Sequence, residues 1–527
     1  MKNSKFILAM CFFLSTCLSI VRAGVVLPTI PTTQFSITSY GASVSSSDNS
    51  AAIDATITAA NAAGGGVVVI PTGTFLSGPI TMKSNVNLYI SAGATLQMMP
   101  YGNGNGQPSG SYPNNGSTNA YTNFIYGSGL SNIEVSGSGV IEGDGSAWWT
   151  AYNANSNIQR PYLIRFKGCN KVLITGITLQ NAPNVHICLG QSSNMGSNGT
   201  ISNVIVIAPA TSPNTDAIDV WYWNGVDILN CNLSEGDDNV AMDSYAQNVT
   251  IKHCVFGNGH GTSVGSYASN VENILVDSCT YNGTTNGIRL KSNRTRGGHD
   301  TSLVYSNITM NNVKYPFYIT SWYPTEPYPA SAQTAAAVTG NTPMWENITF
   351  KNIVVNNSTY AGIIYGLPEA YVTNIVFDSV QITATTSGLV TNFVNGLVFK
   401  NCSSITIPSS KGNAIVPYDA TTTGIDVTTG ASTACPPPSS SIVINVQATG
   451  SVSCFPNPVN GDELTIKDDS KIENVAIYNL AGQVLKTQTG DLQNQILVDL
   501  KGLPVGYYIV KIMSSDGRVN SMKLIRE

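Results

Sequence analysis

The sequence predicts an all-β protein whose main domain is a right-handed parallel β-helix. Three observations predict this fold: short runs of β-branched residues, Asn- and Gly-rich turns between the runs, and a repeat of about 20 to 30 residues. No helical period competes with this repeat. Strands of neighbouring coils in such a solenoid lie about 4.8 Å apart, so residues one repeat apart become spatial neighbours. The clearest runs are Val204-Ile205-Val206-Ile207, Val226-Asp227-Ile228-Leu229, Val249-Thr250-Ile251 and Ile274-Leu275-Val276.

Four short polar clusters follow these runs at intervals that match the repeat. The intervals are 21 residues from Asp216 to Asp237, 22 from Asp238 to His260, and 29 from His260 to Arg289. We therefore expect one patch to hold three carboxylates, an imidazole and two cations. Paired carboxylates can supply an acid and a base for glycosidic hydrolysis, and cations can bind an acidic sugar. The clusters are Asn214-Thr215-Asp216, Gly236-Asp237-Asp238, Gly259-His260-Gly261 and Arg289-Leu290-Lys291.

Three cysteines recur in the same register. Cys231, Cys254 and Cys279 are 23 and 25 residues apart, and each follows an apolar run. Thiols stacked inside a coil commonly act as small buried apolar groups. A disulfide is the alternative in an exported protein, where an even cysteine count permits pairing without assigning it.

Composition limits the function classes that this chain of 527 residues can belong to. Only 10% of the residues are charged and the formal net charge is −5. Many Gly, Asn, Ser and Thr residues with so few charges suit stacked turns and argue against a disordered or nucleic-acid-binding protein. The net negative charge of the protein does not attract polyanions, so binding an acidic substrate requires a local cationic patch.

The N-terminus has the features of a secretory signal peptide over residues 1–23. Lys2 and Lys5 form a basic start, an apolar stretch runs from Phe6 to Ile20, and Ala23 precedes the expected cleavage point. The apolar stretch is too short to span a membrane comfortably. We expect no transmembrane segment in the mature chain.

The mature chain divides by composition into two domains and a linker. We expect the β-helix over 24–430, a Pro/Ser-rich linker over 431–451 and a small β-sandwich-like domain over 452–527. A helix pattern from about Ser50 to Ala63 is the candidate N-terminal cap of the first coil. Two long segments, Tyr101 to Asn123 and Trp322 to Trp345, are expected as exposed loops that wall a cleft.

The region from about Ser36 to Thr429 resembles glycoside hydrolase family 28, the polygalacturonase family. The four polar clusters match the motifs of that family in order and spacing, and Arg160-Pro161-Tyr162-Leu163-Ile164 is a supporting stretch. The resemblance implies a pectate-lyase-like β-helix that cleaves α-1,4-galacturonosyl linkages in polygalacturonic acid. It implies neither a metal nor an organic cofactor.

The resemblance also implies a role for each motif residue. Asp237 is the acid, Asp216 and Asp238 activate the attacking water with inversion at the anomeric carbon, and His260 hydrogen-bonds to the acid. Mutual repulsion and partial burial should raise the pKa of at least one of these carboxyls. The remaining residues are expected to bind substrate, and they are Asn214, Arg289, Lys291 and Tyr323.

Asp243 departs from the family pattern, in which many members have lysine. This departure keeps rhamnogalacturonan or xylogalacturonan open as substrates. Asp219, Asp227 and Asp243 themselves are interpreted as structural or outer-subsite groups. A polysaccharide lyase on the same scaffold and a non-catalytic glycan-binding β-helix are further alternatives, although three clustered aspartates fit hydrolysis better.

The segment from Val452 to Glu527 resembles the C-terminal sorting domain of proteins exported by the type IX secretion system of Bacteroidetes. A carbohydrate-binding module is the alternative for this segment. The resemblance implies the type IX machinery as a partner and a secreted or cell-surface location beyond the outer membrane. We expect the chain to act as a monomer on pectic polysaccharide. The matching stretches are Phe455-Pro456-Asn457-Pro458, Ile477-Tyr478-Asn479-Leu480-Ala481-Gly482-Gln483, Leu503-Pro504-Val505-Gly506-Tyr507-Tyr508 and Lys523-Leu524-Ile525.

Overall fold

A computed structural model describes the backbone of most of the chain. The described residues are 24–102, 110–117, 119–190, 194–325, 333–417, 426–427, 452–455, 457, 459–478, 484–504, 506–515 and 519–526. The segments predicted as signal peptide, 1–23, and linker, 431–451, lie outside them. The chain separates into two compact units, Met1–Ser441 and Ile442–Glu527.

The first unit is a parallel β-helix with three sheets, which confirms the predicted fold class. One sheet, which we call the cleft sheet, carries the polar clusters. Its strands are Ile80–Thr81, Ile125–Ser128, Ile164–Lys167, Ile187–Leu189, Ile218–Val220, Val240–Met242, Thr262–Val264, Asn286–Lys291, Tyr315–Thr320, the ends of Met344–Tyr365 and Val372–Asn392, and Ile415–Pro417.

The second and third sheets complete each coil. The second contains Gln34–Ser36, Gly66–Ile70, Val86–Ile90, Ser131–Gly137, Asn170–Thr175, Gly196–Ser202, Trp223–Leu229, Ala246–Lys252, Glu272–Asp277, the starts of His299–Asn311, Met344–Tyr365 and Val372–Asn392, and then Val394–Lys400 and Asp426–Val427. The third contains Gly73–Ser77, Ala94–Met98, Val140–Glu142, Thr178–Gln180, Ile205–Ile207, Asn232–Ser234, Val255–Phe256, Thr280–Asn282, the end of His299–Asn311, the middles of Met344–Tyr365 and Val372–Asn392, and Ser404–Thr406.

Alternating burial along each strand explains why these short runs form stacked coils. In the cleft sheet, Ile218 and Val220 are fully buried while Asp219 between them faces outward. Asparagines occupy many turns with left-handed backbone, which Asn tolerates better than most residues. Their side chains bond from coil to coil, as Asn357 does to Asn312 at 2.7 Å.

The N-terminal cap helix and the three stacked cysteines have the structures predicted from the sequence. A helix spans Ser50–Ala62 and buries Ile53 and Ile57 against the first coils, as predicted for the cap. A second helix spans Gly145–Ala154, and short 3-10 helices span Ile37–Tyr40 and Ser409–Lys411. Cys231, Cys254 and Cys279 are free and buried, so they act as apolar filling rather than as disulfides.

The loop expected between Tyr101 and Asn123 is more buried than its composition suggests. In its described part, Tyr112 is fully buried and Tyr121 is nearly so. The rings of Tyr101 and Tyr121 each lie 4.7 Å from the Trp148 ring. The Gly- and Asn-rich composition predicted exposure, but tertiary packing of these aromatic rings overrides it.

The second unit is an antiparallel β-domain with its own apolar core. Its described residues form five strands of one sheet, and its core includes Leu464, Val475, Val510 and Leu524. The strands are Ser453–Phe455, Glu463–Tyr478, Val484–Asp499, Gly506–Ser514 and Val519–Arg526.

Candidate active site

Equivalent positions on three successive coils carry Asp216, Asp238 and His260. Each residue lies two positions before a strand of the cleft sheet, and the strands pair in register through Ile218, Val240 and Thr262. The next strand in this register, Asn286–Lys291, carries Arg289 and Lys291. The structure therefore brings the four clusters together, as their spacing predicts.

Asp238 is the buried centre of the cluster. Its carboxylate accepts hydrogen bonds from Lys291 Nζ at 2.7 Å, Arg289 Nη1 at 3.0 Å and Ser263 Oγ at 2.6 Å. Burial favours the neutral acid, but the charges of Lys291 and Arg289 outweigh it and hold the pKa of Asp238 well below its usual value. Asp238 is therefore an anion. Ser263 was not predicted from the sequence, because a lone serine carries no recognisable signal.

Asp237, its neighbour in sequence, is half-buried and contacts different partners. His260 Nδ1 lies 3.1 Å from Asp237 Oδ1, and Asn214 Nδ2 donates to Asp237 Oδ2 at 3.3 Å. The same His260 nitrogen lies 3.7 Å from Asp238 Oδ1. One imidazole thus contacts the accessible carboxyl directly and lies near the buried one.

Arg160 fixes the orientation of Asn214. Its guanidinium donates to Asn214 Oδ1 at 2.9 Å and to the carbonyls of Pro183 and Pro213, and it stacks 3.7 Å from the Tyr152 ring. Because the amide oxygen accepts from Arg160, the amide nitrogen is directed to Asp237. The sequence stretch around Arg160 supported the family resemblance, but it did not predict this contact.

Asp216 lies on the neighbouring coil, and its pKa is shifted in the opposite direction to that of Asp238. Burial raises its pKa well above the usual value, and the charges of Asp219, Asp237 and Asp238 raise it further. This direction agrees with the expectation that at least one carboxyl of the group would be hard to ionise. The coil spacing of about 4.8 Å separates it from the Asp237-Asp238 pair by one layer.

His186, on the preceding coil, hydrogen-bonds to the backbone of Asp216. Its Nδ1 lies 3.1 Å from the Asp216 carbonyl oxygen, and its Nε2 accepts from the amide of Ala182 at 3.3 Å. Burial lowers the pKa of His186 to about 4, so the ring is neutral and its Nδ1–H donates to Asp216. The sequence motifs did not include this residue.

The two cations of the site, Arg289 and Lys291, lie against the ring of Tyr323. Lys291 Nζ and the Arg289 guanidinium lie 5.4 and 5.6 Å from the centre of the Tyr323 ring. Burial alone would lower the pKa of each cation, but Asp238 outweighs it and raises both. The structure thus brings Tyr323 to the site, where the family resemblance also places it.

Comparison with known proteins decides the family. The model of glycosyl hydrolases family 28 matches residues 63–433, which include every residue of this cluster. This chain belongs to glycosyl hydrolase family 28. The family 28 hydrolase is 33% identical over 300 residues to an endo-polygalacturonase of Pectobacterium carotovorum, covering 53% of this chain and 70% of that protein.

Solved structures share the fold of the family 28 hydrolase. A polygalacturonase from Erwinia carotovora is 26% identical with a TM-score of 0.53, covering 73% of this chain and 99% of that one. An exopolygalacturonase from Thermotoga maritima is 21% identical with a TM-score of 0.56, covering 71% of this chain and 94% of that one. At the lower identity the likeness shows the fold alone.

The last part of the hydrolase is a secretion sorting domain. A model described as a secretion system C-terminal sorting domain matches residues 453–527, as the sequence predicts. Such a domain directs the hydrolase to export, either to the cell surface or into the medium. Across the described residues, no helix combines the length and apolarity that a membrane crossing needs.

Two further carboxyls of the hydrolase, Asp219 and Asp243, share the outward face of the cleft sheet. Burial raises the pKa of Asp219, and Asp243 raises it further. Burial likewise raises the pKa of Asp243 to about 6, although Lys291 and a hydrogen bond from the Tyr267 amide oppose the rise. Asp227, in contrast, lies on the second sheet. Asp219 and Asp243 therefore belong to the cleft, while Asp227 does not.

Asp237, Asp238 and His260 lie close enough together to ligate a metal ion. The charges around them do not suit one, because both oxygens of Asp238 already accept hydrogen bonds from cationic side chains. A divalent cation would have to displace Lys291 and Arg289 or lie against their charges. The donor set therefore does not fit a resident metal.

Proposed function

We propose that this enzyme is an exported, monomeric hydrolase of galacturonan that cleaves α-1,4-galacturonosyl linkages with inversion. The observation that carries the proposal is the contact of one anionic carboxylate, Asp238, with Arg289 and Lys291, one coil from a second carboxyl with a raised pKa, Asp216. The endo-polygalacturonase relative supports the substrate class.

Asp237 is the proton donor in this mechanism. A guanidinium can only donate, so the 3.1 Å contact between Arg289 Nη1 and His260 Nδ1 makes Nδ1 an acceptor. The Asp237 oxygen lies 3.1 Å from the same nitrogen, so His260 positions this carboxyl from one side while Asn214 positions it from the other. The proton for the leaving oxygen comes from the Asp237 carboxyl held in this way.

Asp216 and Asp238 hold and activate the water that attacks from the opposite face. Asp238 is kept anionic by its cations, and the raised pKa of Asp216 makes its ionised form the stronger proton acceptor. Inversion requires a water that is activated on the face of the sugar opposite to the acid, and carboxyls on two neighbouring coils can hold such a water. No covalent sugar intermediate is needed.

Arg289 and Lys291 also recognise the substrate. Both extend from the outward face of one strand, because Ile288 and Leu290 between them are fully buried. Their charges lie beside the reacting carboxyls, where they can bind the uronate carboxylate of a sugar next to the scissile bond. Tyr323 covers them and supplies a surface for the sugar ring.

Reducing-end release from polygalacturonic acid tests the proposal. The mature enzyme should release reducing ends from this polymer faster than from rhamnogalacturonan or xylogalacturonan, without unsaturated products. Unsaturated products, which absorb in the near ultraviolet, would show a lyase. Binding of the polymer without turnover by a folded protein would instead support a non-catalytic β-helix.

Asp243 should make substrate binding depend on pH. Its pKa of about 6 leaves it mostly neutral at pH 5 and mostly anionic at pH 7, where it repels a polyanionic substrate. The KM for polygalacturonic acid should therefore rise between pH 5 and pH 7, by roughly two- to fivefold more in wild type than in Asp243→Asn. Steady-state kinetics at the two pH values measure this difference. Asp227→Asn is the control, and equal pH profiles in Asp243→Asn and wild type would refute the effect.

A further inference from the structure

A second Arg-x-Lys pair lies on the same face of the cleft sheet. The strand Ile164–Lys167 has the pattern Ile-Arg-Phe-Lys, and the strand Asn286–Lys291 ends in Ile-Arg-Leu-Lys. Ile164 and Phe166 are fully buried, so the residues that alternate with them, Arg165 and Lys167, face outward. The family motifs do not include this pair.

The two pairs occupy equivalent positions in register. Arg165 pairs with Cys188, which pairs with Asp219, and the same column continues through Ala241 and Ser263 to Arg289. Five strand spacings separate the two arginines, which corresponds to roughly 24 Å. The Asp237-Asp238 turn lies between them, three coils from Arg165 and two from Arg289.

The cations of the second pair form no close ion pair in the part of the protein that the structure describes, where Asp219 acts on Arg165 only at longer range. No ion pair there includes Arg165 or Lys167, and the buried Nε of Arg165 has no hydrogen-bond partner. The Nε of Arg289 is buried without a partner in the same way. The Arg165 guanidinium stacks 4.6 Å from the Tyr162 ring, which orders it without neutralising it.

Lys167 is held next to a like charge. Partial burial lowers its pKa, and the neighbouring Arg165 lowers it further. Two like charges on one strand face are unfavourable without an anion between them. On the coils between the two pairs, Asp219 and Asp243 interrupt the positive face, so the cleft has two separate cationic positions.

We infer that Arg165 and Lys167 bind the carboxylate of a second, distal uronate of the same polysaccharide chain, on the side of the scissile bond opposite to Arg289 and Lys291. The inference rests on the proposed galacturonan hydrolysis. An enzyme with two separated anion sites prefers substrates long enough to reach both. The distal site adds binding energy for long chains and leaves the chemistry at the scissile bond unchanged.

Hydrolysis of α-1,4-linked galacturonate oligomers of two to eight sugars tests this site. In Arg165→Ala and in Lys167→Ala, kcat/KM for the longest oligomers should fall on the order of tenfold, because a charge-assisted hydrogen bond is lost. For the shortest oligomer that wild type cleaves, kcat/KM should not change. Lys171→Ala is the matched control, because it removes a positive charge from the same coil on the second sheet.

The outcomes separate the distal site from the proposed function. An unchanged length profile in both variants would overturn the distal site, while wild-type turnover would keep the proposed function. Equal losses on short and long oligomers would also overturn it, by showing that Arg165 acts through the fold or through Asp219. No turnover of any oligomer by wild type would overturn the proposed function, and the distal uronate with it.

Discussion

Asp237→Asn should lower kcat for polygalacturonic acid by about 10²- to 10⁴-fold, the usual contribution of a general acid. The amide cannot give a proton to the leaving oxygen, but it keeps the size of the carboxyl and can still accept from Asn214. The KM should change little, because Arg289 and Lys291 remain in place. Reducing-end release under saturating substrate measures the loss.

Asp227→Asn is the matched control for this substitution. It removes a carboxylate from the second sheet, away from the cleft, and should keep wild-type kcat. Wild-type kcat in Asp237→Asn would contradict the assignment of the acid. A loss of fold in that variant, visible in its circular dichroism, would transfer the test to His260→Gln, which removes the partner of the acid.

Lys291→Met should destabilise the β-helix by about 3–5 kcal/mol at pH 7, because it leaves the buried Asp238 without its closest cation. It should also raise the KM for polygalacturonic acid, since one of two proposed carboxylate ligands is lost. All six tryptophans lie in the first compact unit, so their fluorescence during urea denaturation reports on the β-helix alone.

The stability loss in Lys291→Met should shrink as the pH falls. In wild type, the pKa of Asp238 lies below its unfolded value, so its contribution is full above the unfolded pKa and disappears as pH falls through the folded one. Without Lys291, burial moves the pKa of Asp238 upward, and its penalty is largest at neutral pH. The midpoints of wild type and variant should therefore differ more at pH 7 than at pH 4.

Lys252→Met is the control for a lysine in an exposed ion pair. Lys252 lies 3.7 Å from Asp277 on the second sheet, and its side chain is 36% exposed. Its replacement should cost at most about 1 kcal/mol. Equal losses in the two lysine variants, or a pH-independent loss in Lys291→Met, would contradict the account of Asp238.

The β-helix and the meeting of the four clusters could be predicted from the sequence because the same spacing determines both. A repeat of fixed length places Asp216, Asp238 and His260 at equivalent positions of successive coils, and strand pairing then sets their distances. The cap helix and the burial of the stacked thiols follow from similarly local patterns. The domain boundaries and the role of each site residue stay predictions.

Other features could not be predicted, because they depend on contacts between distant parts of the chain. Arg160 reaches Asn214 across 54 residues, and His186 reaches Asp216 across 30. The burial of Tyr112 depends on Trp148, which a Gly-rich loop does not reveal. The pair Arg165 and Lys167 can be recognised as a candidate binding site only once its strand register with Arg289 is known.

The most direct test of the central claim is the configuration of the first product, followed by proton NMR during hydrolysis of polygalacturonic acid by the mature enzyme. Inversion of an α linkage by water held between Asp216 and Asp238 predicts that the β anomer appears first and then equilibrates. Initial formation of the α anomer would contradict the account, because it would require one of these carboxylates to form a covalent bond to the sugar.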